Sequence, residues 1–268
     1  MTNRQYYYLI AGLPDIVLDQ PKMPFSVAAF REELKAYLHP EDYQLAEWLF
    51  LAADNRNLLH FLLKTEAPWE ENARYSPDDF ADGLREPERL PAYMQTFIAA
   101  FQAQEPLRPG MTWENQLTEL FYDYALANTQ GFLNDWFRFE RNLRNILAAM
   151  SIRRNRLSVE GQLIGEYEFT AALRSSHARD FGLSGEFPMM ERLLQWEDNN
   201  WLEREMAIDA KRWTYLDDLN AFHYFSVEVL LAYLIKLMIL QRWAPLDKAD
   251  GDVVFKKIIG DLEHSLPM

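Results

Sequence analysis

The 268-residue chain contains no cysteine, which excludes a disulfide framework and any thiolate metal site, and which fits a reducing compartment. Its ten glycines form no Walker A pattern, no GxGxxG and no GxSxG. A phosphate-cradling loop, a Rossmann dinucleotide site and a nucleophile elbow are therefore not expected. Histidine is sparse: His39, His60, His177, His223 and His264 include no HExxH and no Glu followed three residues later by His. Asp261 and His264 share a helical spacing but lie near the C-terminus. No catalytic, cofactor-binding or metal-ligating residue is expected, and no cofactor.

A long hydrophobic run is also missing. The most apolar stretch, Val227–Leu240, is interrupted by Glu228 and Lys236 and falls short of the roughly 20 residues that span a bilayer. The opening MTNRQYYYLIAGLPDI places one arginine before a short apolar run broken by Gly12, Pro14 and Asp15, unlike a signal peptide. Positive charge is in deficit, with a net charge of −14, so nucleic acid is not expected as a partner. These features predict a cytoplasmic protein without direct membrane insertion.

Apolar bulk is plentiful. Eight tryptophans, 13 tyrosines and 17 phenylalanines give enough material for a sizeable core and argue against disorder. The apolar positions recur at helical spacing. Ser26 caps a helix carrying Phe30, Leu34, Tyr37 and Leu38, and Pro40 opens a second over about residues 41–64. Ser76-Pro77-Asp78-Asp79 is a third start, and Thr112 a fourth. Between Trp113 and Arg156 there is no proline and one glycine, Gly131, which predicts one long helix or two nearly continuous ones. A shorter element is expected near Ser158–Arg174, followed by the loop RSSHARDFGLSGEFP. Beyond it Leu202, Met206, Trp213 and Leu216 share a face, Phe225–Trp243 is apolar nearly all round, and DVVFKKIIGDL forms a last amphipathic helix. With no sustained β alternation, the chain reads as all-α.

Two stretches align without a gap: EWLFLAADNRNLLHFLL at Glu47–Leu63 and DWFRFERNLRNILAAMS at Asp135–Ser151. Trp48 pairs with Trp136, Arg56 with Arg144, Asn57 with Asn145 and Leu59 with Leu147. The self-similarity suggests related helical units of a kind that more often scaffold partners than catalyse. Each tryptophan is expected to begin an inward stripe. The Arg-Asn pairs fall off that stripe, placed to bond a neighbouring helix, cap a break or meet a partner.

Charge is unevenly distributed. Glu66–Glu88 holds eight acids against Arg74 and Arg85, whereas Arg138–Arg156 holds six arginines against Glu140. Such segments either steer partners into register or, for the arginines, complement the negative end of a long helix. Glu197, Asp198, Glu203, Glu205 and Asp209 crowd one helical region and read as a solvated face supported by Arg204, Lys211 and Arg212. His60 and His223, set among apolar or aromatic neighbours, read as core histidines.

The YYYLIAGLPDI opening, with Lys22, Phe30, Glu33 and Leu34, resembles an uncharacterised bacterial family found mainly in Bacteroidetes and encoded among V-type (archaeal-type) ATPase subunits. More distantly, ADNRNLLHFLL and FERNLRNILAAM are similar to the repeated segments of the C subunit of archaeal-type ATPases, called d in eukaryotes. FSVEVLLAYLIKL, with Phe225, Glu228, Tyr233 and Lys236, looks like the start of a third unit. Ile239 and Leu240 stand where acidic and Asn/Arg positions would follow.

The resemblance implies repeated helical bundles in a funnel with pseudo-threefold symmetry, drawn here as one domain, 1–268, of sub-bundles near 1–105, 106–187 and 188–268. It also implies a non-catalytic central-stalk or accessory subunit that couples the rotor stalk to the membrane ring. The partners would be other V-type ATPase subunits, and the protein would sit at the inner membrane only through that complex. Partner-binding residues stay unassigned. The alternatives are an autonomous protein-binding adaptor with an acidic surface and, less favoured, an enzyme with a dispersed carboxylate site.

Overall fold

The computed structural model describes residues 4–19, 23–185, 187 and 201–244, and among these the fold is all-α, without a strand. The expected last helix at DVVFKKIIGDL, Asp261 and His264 lie outside the described residues, as do Glu197 and Asp198. The chain divides into two compact units, one of residues 1–49 with 189–268, the other of residues 50–188. Residues 1–49 thus join the C-terminal segment.

In the first unit α1 (Tyr7–Ala11), α2 (Val27–Tyr37) and α3 (Pro40–Glu47) combine with α10 (Trp201–Asn220) and α11 (Val227–Trp243). Ser26 caps α2 by accepting from the Ala29 N–H at 3.1 Å, and Pro40 occupies the first turn of α3. The nearly all-round apolar sequence of α11 is explained by its neighbours, since it packs against α2, α3 and α10. Phe30, Leu34, Leu216, Leu230, Leu234, Leu237 and Leu240 are fully buried there. Tyr37, expected inward, is the last residue of α2 and is largely exposed, whereas Phe30 and Leu34 of the same stripe are fully buried. The Phe30 and Tyr233 rings meet at 5.2 Å, and the Tyr233 hydroxyl donates to the Pro14 carbonyl at 2.9 Å.

The second unit holds α4 (Leu51–Leu63), α5 (Pro77–Gly83), α6 (Ala92–Ala103), α7 (Trp113–Asn128), α8 (Phe132–Asn155) and α9 (Glu168–Ser175). The central element is α7, which packs against α4, α6 and α8. Aromatic contacts tie the layers, with the Phe121 ring of α7 tilted against Tyr93 of α6 at 5.9 Å and edge-to-face with Phe137 of α8 at 5.6 Å. Thr112 caps α7 by accepting from Asn115 N–H, and Ser76 and Asp79 form a reciprocal capping box on α5. Gly131 separates α7 from α8 at φ +56°, a conformation that side-chain-bearing residues resist. The short element expected near Ser158–Arg174 contracts to α9.

The helix expected over residues 41–64 is broken. A 3-10 turn at Trp48–Phe50 separates α3 from α4, and the division between the units falls within it. Leu49, Phe50 and Leu51 are all buried. Three consecutive residues sweep about 200° around a straight helix, more than one face can bury, so the chain tightens and redirects. The two tryptophans of the repeat are consequently not equivalent. Trp136 is buried within the continuous α8, whereas Trp48 lies half-buried in the 3-10 turn and belongs to the other unit.

Candidate functional site

The second copy of each repeat asparagine performs the same task as the first. Asn57 of α4 accepts from the Glu70 N–H at 2.9 Å and donates to the Glu70 carbonyl at 3.3 Å. Asn145 of α8 accepts from the Ile164 N–H at 2.8 Å and donates to the Ile164 carbonyl at 2.9 Å. Both side chains are fully buried, contrary to an off-core placement. A carboxamide carries an acceptor and a donor side by side, so it can satisfy both backbone groups of one loop residue as a β-bridge partner would. Asparagine is the residue for this task, because leucine would leave both groups unpaired.

The surroundings repeat too. Lys64 and Arg156 end their helices in the left-handed region, at φ 53° and 54°. The next residue closes each end, Thr65 N–H on the His60 carbonyl and Leu157 N–H on the Ile152 carbonyl. A polar side chain three residues into each short helix reaches back to its N-cap, with Ser76 N–H on Asp79 Oδ2 and Tyr167 N–H on Thr170 Oγ1. One helical turn toward the N-terminus, Asp54 accepts from the Arg74 and Tyr75 N–H groups, and its counterpart Asn142 accepts from the Tyr167 hydroxyl. The unit is helix, basic left-handed stop, clamped loop and short helix.

The paired arginines have a different relation. Both Arg56 and Arg144 line one open cleft of about 770 Å³, with Leu59 and His60 of α4 and Leu117 and Phe121 of α7. Leu117 and Phe121 make an apolar floor. At the rim Arg56 Nε donates to Glu70 at 2.7 Å, and Arg144 Nη2 donates to Asn115 Oδ1 at 2.9 Å with Glu114 3.9 Å away. Among the described residues Glu114 is the one carboxylate lining the cleft, and it is mostly exposed. His60 has no acidic partner there, and its Nδ1 is buried without a hydrogen bond, so it is not a satisfied core histidine. An apolar floor edged by guanidinium groups suits apolar and carboxylate side chains of a docked segment.

The carboxylates buried deepest hold the fold. Glu119 accepts from the Gly165 N–H and pairs with Arg108 at 2.6 Å. Asp209 does not lie on the solvated face expected of its helix. It is buried, pairs with Arg212 and Arg242, and accepts from Trp243 Nε1 at 2.7 Å, joining α10 to α11. His223 is also no core histidine: it is part-exposed, 3.7 Å from Glu228. No group of three or more histidines and acids that could hold a metal ion occurs among the described residues.

Arg138, Arg141 and Arg153 of α8 make contacts within their own unit. Arg138 meets Asn134, and Arg141 lies over the Tyr167 ring at 3.9 Å. Arg153 donates to the Ser176, Ala178 and Arg179 carbonyls, so it caps a neighbouring loop in addition to lying at the helix end. Tyrosines respond to the same packing. Burial pushes Tyr93 well above its ordinary range, and Tyr167 and Tyr75 upward.

In α11, the expected start of a third unit, Ile239 and Leu240 are buried in the core. Lys236 pairs with Asp217 and lies over the Trp213 ring at 4.7 Å.

No helix among the described residues is long and apolar enough to cross a membrane. A family model with the description "Protein of unknown function" matches residues 1–266. No curated protein and no solved structure matches the chain.

Proposed function

The chain belongs to that family, DUF2764, and from this premise we propose that it is a non-catalytic helical subunit of a V-type ATPase, of the C/d kind. In that role it receives the central stalk, couples it to the membrane rotor ring, and reaches the inner membrane only through the complex. The observation that carries the reading is the repeated clamp: Asn57 on Glu70 and Asn145 on Ile164, each fixing a loop between a long and a short helix. Subunits built by duplicating a helical unit use repeated, rigidly held loops and helix ends as contact surfaces.

Co-purification from gently solubilised membranes tests it. The protein is expected to travel with the rotor subunits, and recovery of an intact ATPase without it overturns the assignment. An autonomous adaptor is the second reading, supported by the cleft that Arg56 and Arg144 edge. In that case the protein is recovered with another partner and its level is indifferent to the presence of the ATPase.

A further inference from the structure

Tyr8 and Phe222 are each 89% exposed and Tyr224 is 70% exposed. They come from two segments of the first unit that touch. The Tyr7 and Phe225 rings lie 4.4 Å apart, and the Tyr6 N–H donates to the Phe225 carbonyl at 2.6 Å. Helix α1 and the turn between α10 and α11 thus bring Tyr7, Tyr8, Phe222, Tyr224 and Phe225 to one surface. Single exposed apolar side chains are ordinary, but five aromatic residues gathered from distant parts of the sequence are not. Large aromatics with few rotatable bonds are the side chains that most often anchor protein interfaces.

The charge around them selects the occupant. Residues 5–19 contain Asp15 and Asp19 and no lysine or arginine, and residues 213–235 contain Asp217, Asp218 and Glu228 and again no lysine or arginine. Cations that flank these stretches in sequence are engaged, Arg4 with Glu41 and Asp42, Arg212 with Asp209, and Lys236 with Asp217. An anionic lipid surface would be repelled. A symmetric contact with a second copy would set the same carboxylates against one another. A cation is favoured twice, by the carboxylates and by the exposed ring faces.

We propose that Tyr7, Tyr8, Phe222, Tyr224 and Phe225 form a docking surface for a partner-protein segment that presents lysine or arginine beside apolar side chains. The proposal is independent of the ATPase assignment, because it follows from exposure and charge alone.

Two labelled helical peptides of equal length test it on the full chain by fluorescence anisotropy, one with leucine and lysine faces, the other with leucine and glutamate faces. The leucine–lysine peptide is expected to bind, and the leucine–glutamate peptide to bind at least about tenfold more weakly. The double variant Tyr8→Ser, Phe222→Ser should lose about tenfold or more for the lysine peptide while keeping the wild-type melting temperature, since neither side chain is buried. Tyr224→Ser provides the same readout from a second position. Both variants keep the net charge, so unchanged binding in them would reduce the attraction to bulk electrostatics and overturn the proposal, as would absence of binding by the wild type. Two further outcomes overturn it by naming another occupant. These are association with phosphatidylserine vesicles that the double variant loses, and self-association in sedimentation that the double variant abolishes.

Discussion

Asn145 grips Ile164 by both backbone groups, and the gripped residue is itself buried, whereas the equivalent Asn57 grips Glu70 at a part-exposed position. The difference sets an order of stability. Asn145→Ala leaves a buried N–H and carbonyl unpaired and should cost about 2–4 kcal/mol. Asn57→Ala allows water to reach Glu70 and should cost about 1–2 kcal/mol. Urea unfolding midpoints measure both, and an equal or reversed order would contradict the burial difference.

Asp209 joins two helices through charged and neutral donors together. Asp209→Ala leaves the Trp243 indole N–H without its acceptor and takes a carboxylate from Arg212 and the half-exposed Arg242, and should cost about 1–3 kcal/mol. Asp209→Asn keeps an acceptor for the indole and should cost less. Thermal unfolding followed by tryptophan fluorescence separates the two variants, and identical losses would mean that the indole bond is immaterial.

Tyr233 is pushed up to about 12, first by burial and then by the Asp15 and Glu33 charges, from an ordinary value of 10.0. A phenol whose folded value is raised supports the folded state fully below the unfolded value, and that support is lost as pH rises toward the folded one. Stability should therefore fall between about pH 10 and about pH 12. Tyr233→Phe should flatten the part of this fall that Tyr233 contributes. Chemical denaturation at a series of alkaline pH values tests it, and parallel wild-type and variant curves would refute the assignment. Tyr6, also pushed up to about 12 by burial and its bond to Asp42, adds to the same window.

Arg153 forks across the carbonyls that follow α9 and lies over the Phe181 ring at 3.7 Å. Arg153→Lys keeps the charge but not the fork, so it should loosen the loop nearly as much as Arg153→Ala. Amide hydrogen exchange at residues 176–182 is expected to quicken by about tenfold in both, with global stability changed by less than about 1 kcal/mol. Full rescue by lysine would show that charge alone holds the loop.

Helix starts were legible in the sequence because a cap is local. Ser26, Ser76 and Thr112 each find their donor three residues on, and Pro40 presets its own φ. Gly131 was legible as an interruption for the same reason. The pairing of Arg56-Asn57 with Arg144-Asn145 marked the right positions, but not their tasks. Glu70 lies 13 residues beyond Asn57 but Ile164 lies 19 beyond Asn145, so no fixed spacing links clamp to target. Asp209 was misread because a charged helix face looks solvated until a neighbouring helix covers it. Trp48 was misread because a chain passing between two units at residue 50 leaves no signature in the apolar period. The exposed aromatic cluster was hidden by sequence distance, since Tyr7 and Phe225 come together only when the chain closes.

The sequence by itself determined the all-helical character, the caps at Ser26, Ser76 and Thr112 and the breaks made by proline and glycine, because each depends on hydrogen bonds and steric limits within a few residues. By lacking cysteine and glycine-rich loops it also excluded whole classes of site. Only the tertiary structure decided that residues 1–49 pack with the C-terminal segment, and that two asparagines grip loop backbones. Only it decided that one aspartate is buried and that five aromatics meet at the surface. Those outcomes turn on which apolar faces bury one another across long loops, a balance of burial against chain entropy that no local pattern encodes.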